Sequence, residues 1–69
     1  MARYTVILEK GDTSWSAYVP DLPGCVAAAT TEAATKSLIR EAITLHLDLM
    51  RQDGEPIPTP TTRATLVTI

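Results

Sequence analysis

The chain has 69 residues, of which 45% are hydrophobic, and its six basic and eight acidic residues give a formal net charge of −2. A domain of this length buries only about 60% of the surface that its unfolded chain exposes, and it usually needs a disulfide, a metal or a partner. A single cysteine and a single histidine exclude an internal disulfide and a zinc cluster, and the acidic balance argues against direct nucleic-acid binding. We therefore expect one domain, 1–69, that associates with itself or with another protein.

Two β-strands are predicted at the start of the chain, in residues 3–10 and 14–19, because polar and apolar side chains alternate in both. The short turn between them, at 11–13, predicts an antiparallel hairpin. The alternation places Ile7 and Tyr18 on one face of this hairpin. The opposite face carries Tyr4, Val6, Leu8, Trp15, Ala17 and Val19.

The segment 18–25, Y-V-P-D-L-P-G-C, is predicted to form a rigid corner after the second strand. Pro20 suits the end of a strand because it has no backbone N–H to donate to a ladder. Pro23 and Gly24 fit the two central positions of a type II turn, since proline pre-sets the first φ and glycine accepts the positive φ that follows. Residues 25–29 then form a short third strand, which completes a meander.

A long amphipathic helix is predicted from Glu32 to about Asp53, a stretch without glycine or proline. Thr31 suits the N-cap, because its hydroxyl accepts a hydrogen bond from a free N–H of the first turn. Gly54 suits the position that ends the helix. Two neighbouring apolar rows run along the helix and consist of Leu38, Ala42, Leu45 and Leu49, and of Ile39, Ile43, His46 and Met50.

The last part of the chain is predicted to be extended. Proline at every second position from 56 to 60 favours a polyproline-like path, and the alternation in 63–69 predicts a final strand. The fold class is therefore α+β in the order β-β-β-α-β, a small antiparallel sheet with one helix on one face. Because a single helix covers only one face, the apolar side chains on the other face predict an interaction surface.

Catalysis by Cys25 and His46 is one interpretation, since a thiol and an imidazole within hydrogen-bond reach form a nucleophile pair. We favour a buried structural thiol and a histidine at the edge of the core, because free cysteine is among the most buried residue types. For Glu9, Asp12 and Asp21 we favour ordinary turn and surface roles over a metal site, because nothing in the sequence brings the three carboxylates together. We expect no enzyme activity, no metal and no cofactor.

The two large aromatic side chains of the second predicted strand are candidates for interface anchors. Tyr18 is equally compatible with core packing and with an interface. Trp15 shares a face with Ala17 and Val19, so we expect it in the core.

The run W-S-A-Y-V-P-D-L-P-G-C-V resembles the hallmark of the HicB antitoxin family, an aromatic strand that runs into V-P-D-L-P-G-C before a short strand and a threonine-capped helix. The segments E-A-I-T-L-H-L-D-L-M and D-G-E-P-I-P-T-P resemble the second half of the family helix and its exit. The resemblance covers essentially the whole chain and implies a partial ribonuclease-H-like fold. The helix start departs from the family, because Glu32 is followed by alanines where a second acidic residue is usual.

The resemblance implies the toxin-neutralising half of a type II toxin–antitoxin pair. The partner toxin, HicA, is a small mRNA-cleaving protein whose catalytic surface the antitoxin covers, and family members often assemble as dimers or tetramers. Many members continue into a helix-turn-helix or ribbon-helix-helix that binds the operon promoter. The sequence stops at Ile69 without such a segment, so we do not expect transcriptional autoregulation by this chain alone.

The corner is the expected contact surface for the toxin or for another copy of the chain. The residues assigned to it are Tyr18, Pro20, Asp21, Leu22, Pro23, Gly24 and Cys25. The alternative function is an orphan homo-oligomeric scaffold, or a small-ligand binder, with no toxin partner. The sequence has no signal-peptide pattern and no membrane span, and we expect a cytoplasmic protein whose lone thiol stays reduced.

Overall fold

The computed structural model describes residues 2–69. It contains the elements β1 (Ile7–Lys10), β2 (Trp15–Tyr18), β3 (Val26–Ala29) and α1 (Glu32–Gln52). The strands form one antiparallel sheet in the order β1-β2-β3, and α1 packs on β2 and β3. The α+β class and the β-β-β-α order are confirmed, whereas the ribonuclease-H-like outline stays a prediction. β1 is shorter than predicted, because its partner β2 ends at Tyr18, opposite Ile7.

Antiparallel pairing aligns apolar side chains across the sheet. Ile7 faces Tyr18, and Tyr18 faces Val26 on its other side. One residue along, Leu8 faces Ala17. Because successive residues of a strand point to opposite faces, these two rows lie on opposite sides of the sheet. Ala17 and Leu8 pack into the core beneath α1, so we call the face of Ile7, Tyr18 and Val26 the open face.

Both ends of α1 carry the predicted caps. The Thr31 hydroxyl accepts a hydrogen bond from the Ala34 N–H at 3.1 Å, which satisfies one free donor of the first turn. At the other end Gly54 has a φ of 71°, and the Glu55 N–H donates to the Met50 carbonyl at 2.9 Å. The helix ends at Gln52 with Asp53 as its C-cap, and the left-handed conformation just beyond the cap favours a glycine at position 54. Within residues 2–69, no helix has both the length and the apolar character that crossing a membrane requires.

The hydrophobic core lies between α1 and the sheet. From the helix, Ile39 is 3% exposed and Leu47 is 9% exposed, and Ile43 packs against them. The sheet and the loop after β2 contribute Ala17, Val19, Leu22 and Cys25. The loop that follows β2 therefore takes part in the core as fully as the strands do.

One of the two apolar rows of α1 lies mostly outside this core, since only its Ala42 packs against the core. Leu38, Leu45 and Leu49 are 42%, 64% and 59% exposed, whereas the row that contains Ile39 faces the sheet. The apolar arc of the helix is wider than the surface that three short strands present, so only part of that arc is buried. We call Leu38, Leu45 and Leu49 the leucine stripe.

The predicted final strand at 63–69 is wrong for the isolated chain. The segment is extended, but it pairs with no strand of the sheet, and a strand requires a neighbour for its backbone N–H and C=O groups. Leu66 is 100% exposed and Val67 is 76% exposed. The Cα radius of gyration is 13.1 Å, against about 11 Å for a compact chain of this length, which agrees with a projecting segment.

Candidate functional site

The corner joins β2 to β3, and three backbone hydrogen bonds close it between residues 19 and 25. The Val19 N–H donates to the Cys25 carbonyl at 3.2 Å, and the Leu22 N–H donates to the Val19 carbonyl at 3.0 Å. The third bond runs from the Cys25 N–H to the Leu22 carbonyl at 3.0 Å, across Pro23 and Gly24. Gly24 has a φ of 84°, which the second central residue of a type II turn requires. The predicted turn is confirmed.

Asp21 fastens the corner to a distant part of the chain. Its carboxylate accepts hydrogen bonds from the N–H groups of Thr61 and Thr62 at 3.1 and 3.0 Å, and from their hydroxyls at 3.1 and 2.8 Å. We call this arrangement the Asp21 clip. The Thr62 N–H, followed by the Thr62 hydroxyl, is the main cause that lowers the pKa of Asp21. The carboxylate is therefore ionised at neutral pH and already occupied within the chain.

Two corner side chains point into the protein. Leu22 is 0% exposed and Cys25 is 3% exposed. Burial raises the pKa of the Cys25 thiol and is the one cause of its shift, with no contribution from His46. The thiol is therefore protonated at neutral pH, and a protonated thiol is a poor nucleophile. Among residues 2–69, no three Asp, Glu, His or Cys side chains lie close enough together to hold a metal ion.

The open face carries an apolar row at the end of the sheet where the corner lies. Tyr18 and Val26 face each other and are 42% and 64% exposed, with half-buried Ile7 beside Tyr18. Because Tyr18 begins the corner and Val26 directly follows it, the exposed Pro23 and Gly24 lie at the same end of the sheet. We call these five residues the corner surface.

The seven residues predicted to contact a partner divide into two groups. Those with exposed side chains or backbone are Tyr18, Pro23 and Gly24. Those that are half-buried or buried are Pro20, Asp21, Leu22 and Cys25. The assignment of this segment to an interface stays a prediction, in which the first group would touch a partner and the second would hold the corner in shape.

Three residues of this region are not indicated by the sequence pattern. Val26 belongs to the exposed row because it pairs with Tyr18 across β2 and β3. The alternation of residues on either side of the corner is the sequence signal that could have identified it. Thr61 and Thr62 bind a carboxylate 40 and 41 positions earlier in the chain, and no local signal links them to Asp21. Trp15, expected in the core, is half-buried at the far end of its strand.

A family model described as the HicB-like antitoxin of bacterial toxin–antitoxin systems matches residues 4–68. Antitoxin HicB 2 of Photorhabdus laumondii is 30% identical over 61 residues, which cover 88% of this chain and 44% of that protein. An uncharacterized 14.9 kDa protein of Haemophilus phage HP1 is 34% identical over 55 residues, which cover 80% of this chain and 41% of the phage protein. The chain thus spans less than half the length of these two relatives.

Two further proteins match over a larger share of their own length. The UPF0150 protein Ta0767 of Thermoplasma acidophilum is 33% identical over 57 residues, which cover 81% of this chain and 83% of the archaeal protein. One chain of a solved HicA3 and HicB3 toxin–antitoxin complex superposes with a TM-score of 0.72 at 28% identity, over 87% of this chain and 70% of that chain. Sequence and fold therefore indicate the same family.

Proposed function

The chain belongs to the HicB-like antitoxins of bacterial toxin–antitoxin systems, and from that membership we propose that it binds and neutralises a HicA-type, mRNA-cleaving toxin. The similarity in fold to a chain of a HicA3 and HicB3 complex supports this proposal. The mechanism is occlusion of the toxin's catalytic surface, which requires neither a reactive side chain nor a cofactor in this chain. Since mRNA is the substrate of such a toxin, we place the complex in the cytoplasm.

An uncovered apolar row beside a rigid corner is the observation that carries this proposal. Tyr18 is 42% exposed on a strand that is paired on both sides, so its backbone is fixed before any partner arrives. A preorganised aromatic side chain loses little entropy on binding, and such residues are common hot spots of protein interfaces. Covering Tyr18 and Val26 would also remove apolar surface from water. We propose that the corner surface contacts the toxin.

The charge of the chain suits this partner. A protein that binds mRNA presents basic groups to the phosphates, and a chain with a net charge of −2 is attracted to such a surface. The same acidic charge disfavours direct contact between this chain and nucleic acid. Electrostatic attraction would therefore speed association of this chain with the toxin. Once bound, the chain would keep RNA away from the surface of the toxin that it covers.

Tyr18→Ala tests the contact surface in a calorimetric titration against the purified HicA-type toxin encoded nearest to this chain in its own genome. Loss of a central aromatic contact is expected to weaken binding about 30-fold, which corresponds to about 2 kcal/mol. Leu45→Ala is the matched control, because it also shortens an exposed side chain, on the leucine stripe, and it should bind within about twofold of the wild type.

The other outcomes separate the competing explanations. If Leu45→Ala weakens binding and Tyr18→Ala does not, the toxin contacts the leucine stripe, and the assignment of the corner surface is wrong. If the wild-type chain shows no binding, the proposed function fails. A stable dimer or tetramer that ignores the toxin would then favour the orphan scaffold, which uses its exposed apolar surface to bind copies of itself.

A further inference from the structure

The segment 63–69, R-A-T-L-V-T-I, combines the pattern of a β-strand with the absence of any strand partner among residues 2–69. We propose that this segment forms a β-strand on the free edge of β1 in a second copy of the chain, and that the two copies exchange their segments reciprocally. The inference deepens the self-association expected from the small core. Its test contains no toxin, so it and the proposed function can fail independently.

The composition of the segment is that of a strand whose two faces are both covered. Four of its seven residues are threonine, valine or isoleucine, the β-branched types that pack well on a pleated sheet. Leu66 and Val67 are adjacent, so they point to opposite faces of any strand that they form. Both side chains are largely exposed, at 100% and 76%. An isolated segment of this kind gains stability only by pairing with an edge.

The root of the segment is fixed beside the start of β1. The Thr5 hydroxyl donates to the Thr62 carbonyl at 2.7 Å, and the Tyr4 hydroxyl donates to the Pro58 carbonyl at 2.6 Å. The Asp21 clip holds Thr62 through its N–H and its hydroxyl at the same place. Because the root is held, the direction in which residues 63–69 leave the protein is set by the fold.

β1 offers an edge that lacks a neighbour in the described part of the chain. It pairs with β2 on one side only, so its other side presents unpaired backbone groups, which are a template for a further strand. The helix packs on β2 and β3, and the side chains of Tyr4, Val6 and Leu8 are only half-buried as a result. A strand added beside β1 would extend the sheet under these side chains and bury them further.

Self-complementarity identifies the second copy as the occupant. Each chain carries an unpaired strand-forming segment, 63–69, and a free strand edge on β1. Two copies related by a two-fold axis near the root of the segment would satisfy both features at once. Seven extended residues reach about 23 Å, whereas the four residues of β1 span about 13 Å, so the segment is long enough. In its own chain the segment forms no strand pair with β1.

The mass in solution tests the exchange. Wild-type protein should sediment with at least twice the chain mass of 7.4 kDa. In hydrogen exchange, those β1 amides that do not bond to β2 should be protected in the assembly. Leu66→Asp places a charge in the proposed sheet and is expected to raise the dissociation constant more than tenfold and to remove this protection. Its helical circular dichroism should stay unchanged, since the Leu66 side chain is fully exposed in its own chain.

Leu45→Asp is the matched control, because it introduces the same charge at an exposed leucine of the helix, and it should keep the wild-type mass. Three results would overturn the inference. In the first, Leu66→Asp assembles as the wild type does. In the second, Leu45→Asp alone breaks the assembly, which would assign it to the leucine stripe. In the third, the wild type is a monomer. This result would overturn the inference both if the β1 edge is exposed and if the segment 63–69 of the same chain covers it.

Discussion

Asp21 connects the corner to the chain that follows the helix, and its role is tied to its charge. Four hydrogen bonds reach its two oxygens, and an asparagine offers only one oxygen to such donors. We expect Asp21→Asn to lower the urea midpoint of unfolding and to increase amide exchange at Thr61 and Thr62. Thr61→Val, which removes a single hydroxyl donor, should have a smaller effect of the same sign.

The pH dependence of this contribution follows from the direction of the pKa shift. The bonds from Thr62 and Thr61 lower the pKa of Asp21 below its ordinary value of 3.8, so the stabilisation is present above that value and is lost as the pH falls through the lower, folded-state pKa. The difference in urea midpoint between wild type and Asp21→Asn should therefore be large at about pH 7 and shrink as the pH falls below the ordinary value of 3.8. A difference that is constant across this range would contradict the role of the charge.

At the scale of single residues, sequence reasoning succeeds where the chemistry is local. Pro23 and Gly24 dictate their turn through their own backbone preferences, and the structure has the expected positive φ at Gly24. The Asp21 clip is not predictable in the same way. Its partners lie 40 and 41 residues away, and their approach depends on the helix and its exit, which bring the chain back to the corner.

The apolar side chains of α1 lie in two different environments, the core and the solvent. Leu47 is 9% exposed, and Leu45 is 64% exposed, on the same helix and two residues apart. Leu47→Ala leaves a cavity and should lower the free energy of unfolding by about 2 kcal/mol. Leu45→Ala should change it by less than about 0.5 kcal/mol. Urea unfolding of both variants at one protein concentration, followed by helical circular dichroism, makes the comparison.

Equal losses in the two variants would show that the leucine stripe is buried in solution, which would mean that another copy covers it. That result would contradict the exposure of Leu45 and add a self-contact on the leucine stripe to the one proposed for the segment 63–69. Substantial loss in Leu45→Ala that disappears on dilution would carry the same meaning, because the stability of an assembled chain depends on its concentration.

The helix itself follows from the sequence, since its caps at Thr31 and Gly54 act locally and both are in place. Which apolar row faces the sheet does not follow, because both rows have the same period and the choice is made by packing against Ala17 and the corner. The alternation in 63–69 predicts a strand that the structure does not contain, because the segment has no partner among residues 2–69. Strand formation is a tertiary event that local propensity cannot decide.

In the molecule as a whole, the hydrophobic core is too small to bury all of the apolar side chains that the chain carries. The corner surface, the leucine stripe and the segment 63–69 all present apolar side chains to water. A chain of this size is marginally stable alone, and exposed apolar patches mark sites of association. The toxin on the corner surface and a second copy on the β1 edge would be neighbours, because Ile7 belongs to both β1 and the corner surface.

The central claim is that this chain neutralises an mRNA-cleaving toxin by binding it. The most direct test is to recover the tagged chain from its native cells, measure the mass of the complex by multi-angle light scattering, and assay the associated protein for mRNA cleavage. We expect a stoichiometric complex with a small basic protein. Once released from the complex, that protein should cleave mRNA, and adding the chain back should stop the cleavage. Recovery of the chain alone, as a homo-oligomer with no ribonuclease attached, would contradict the claim.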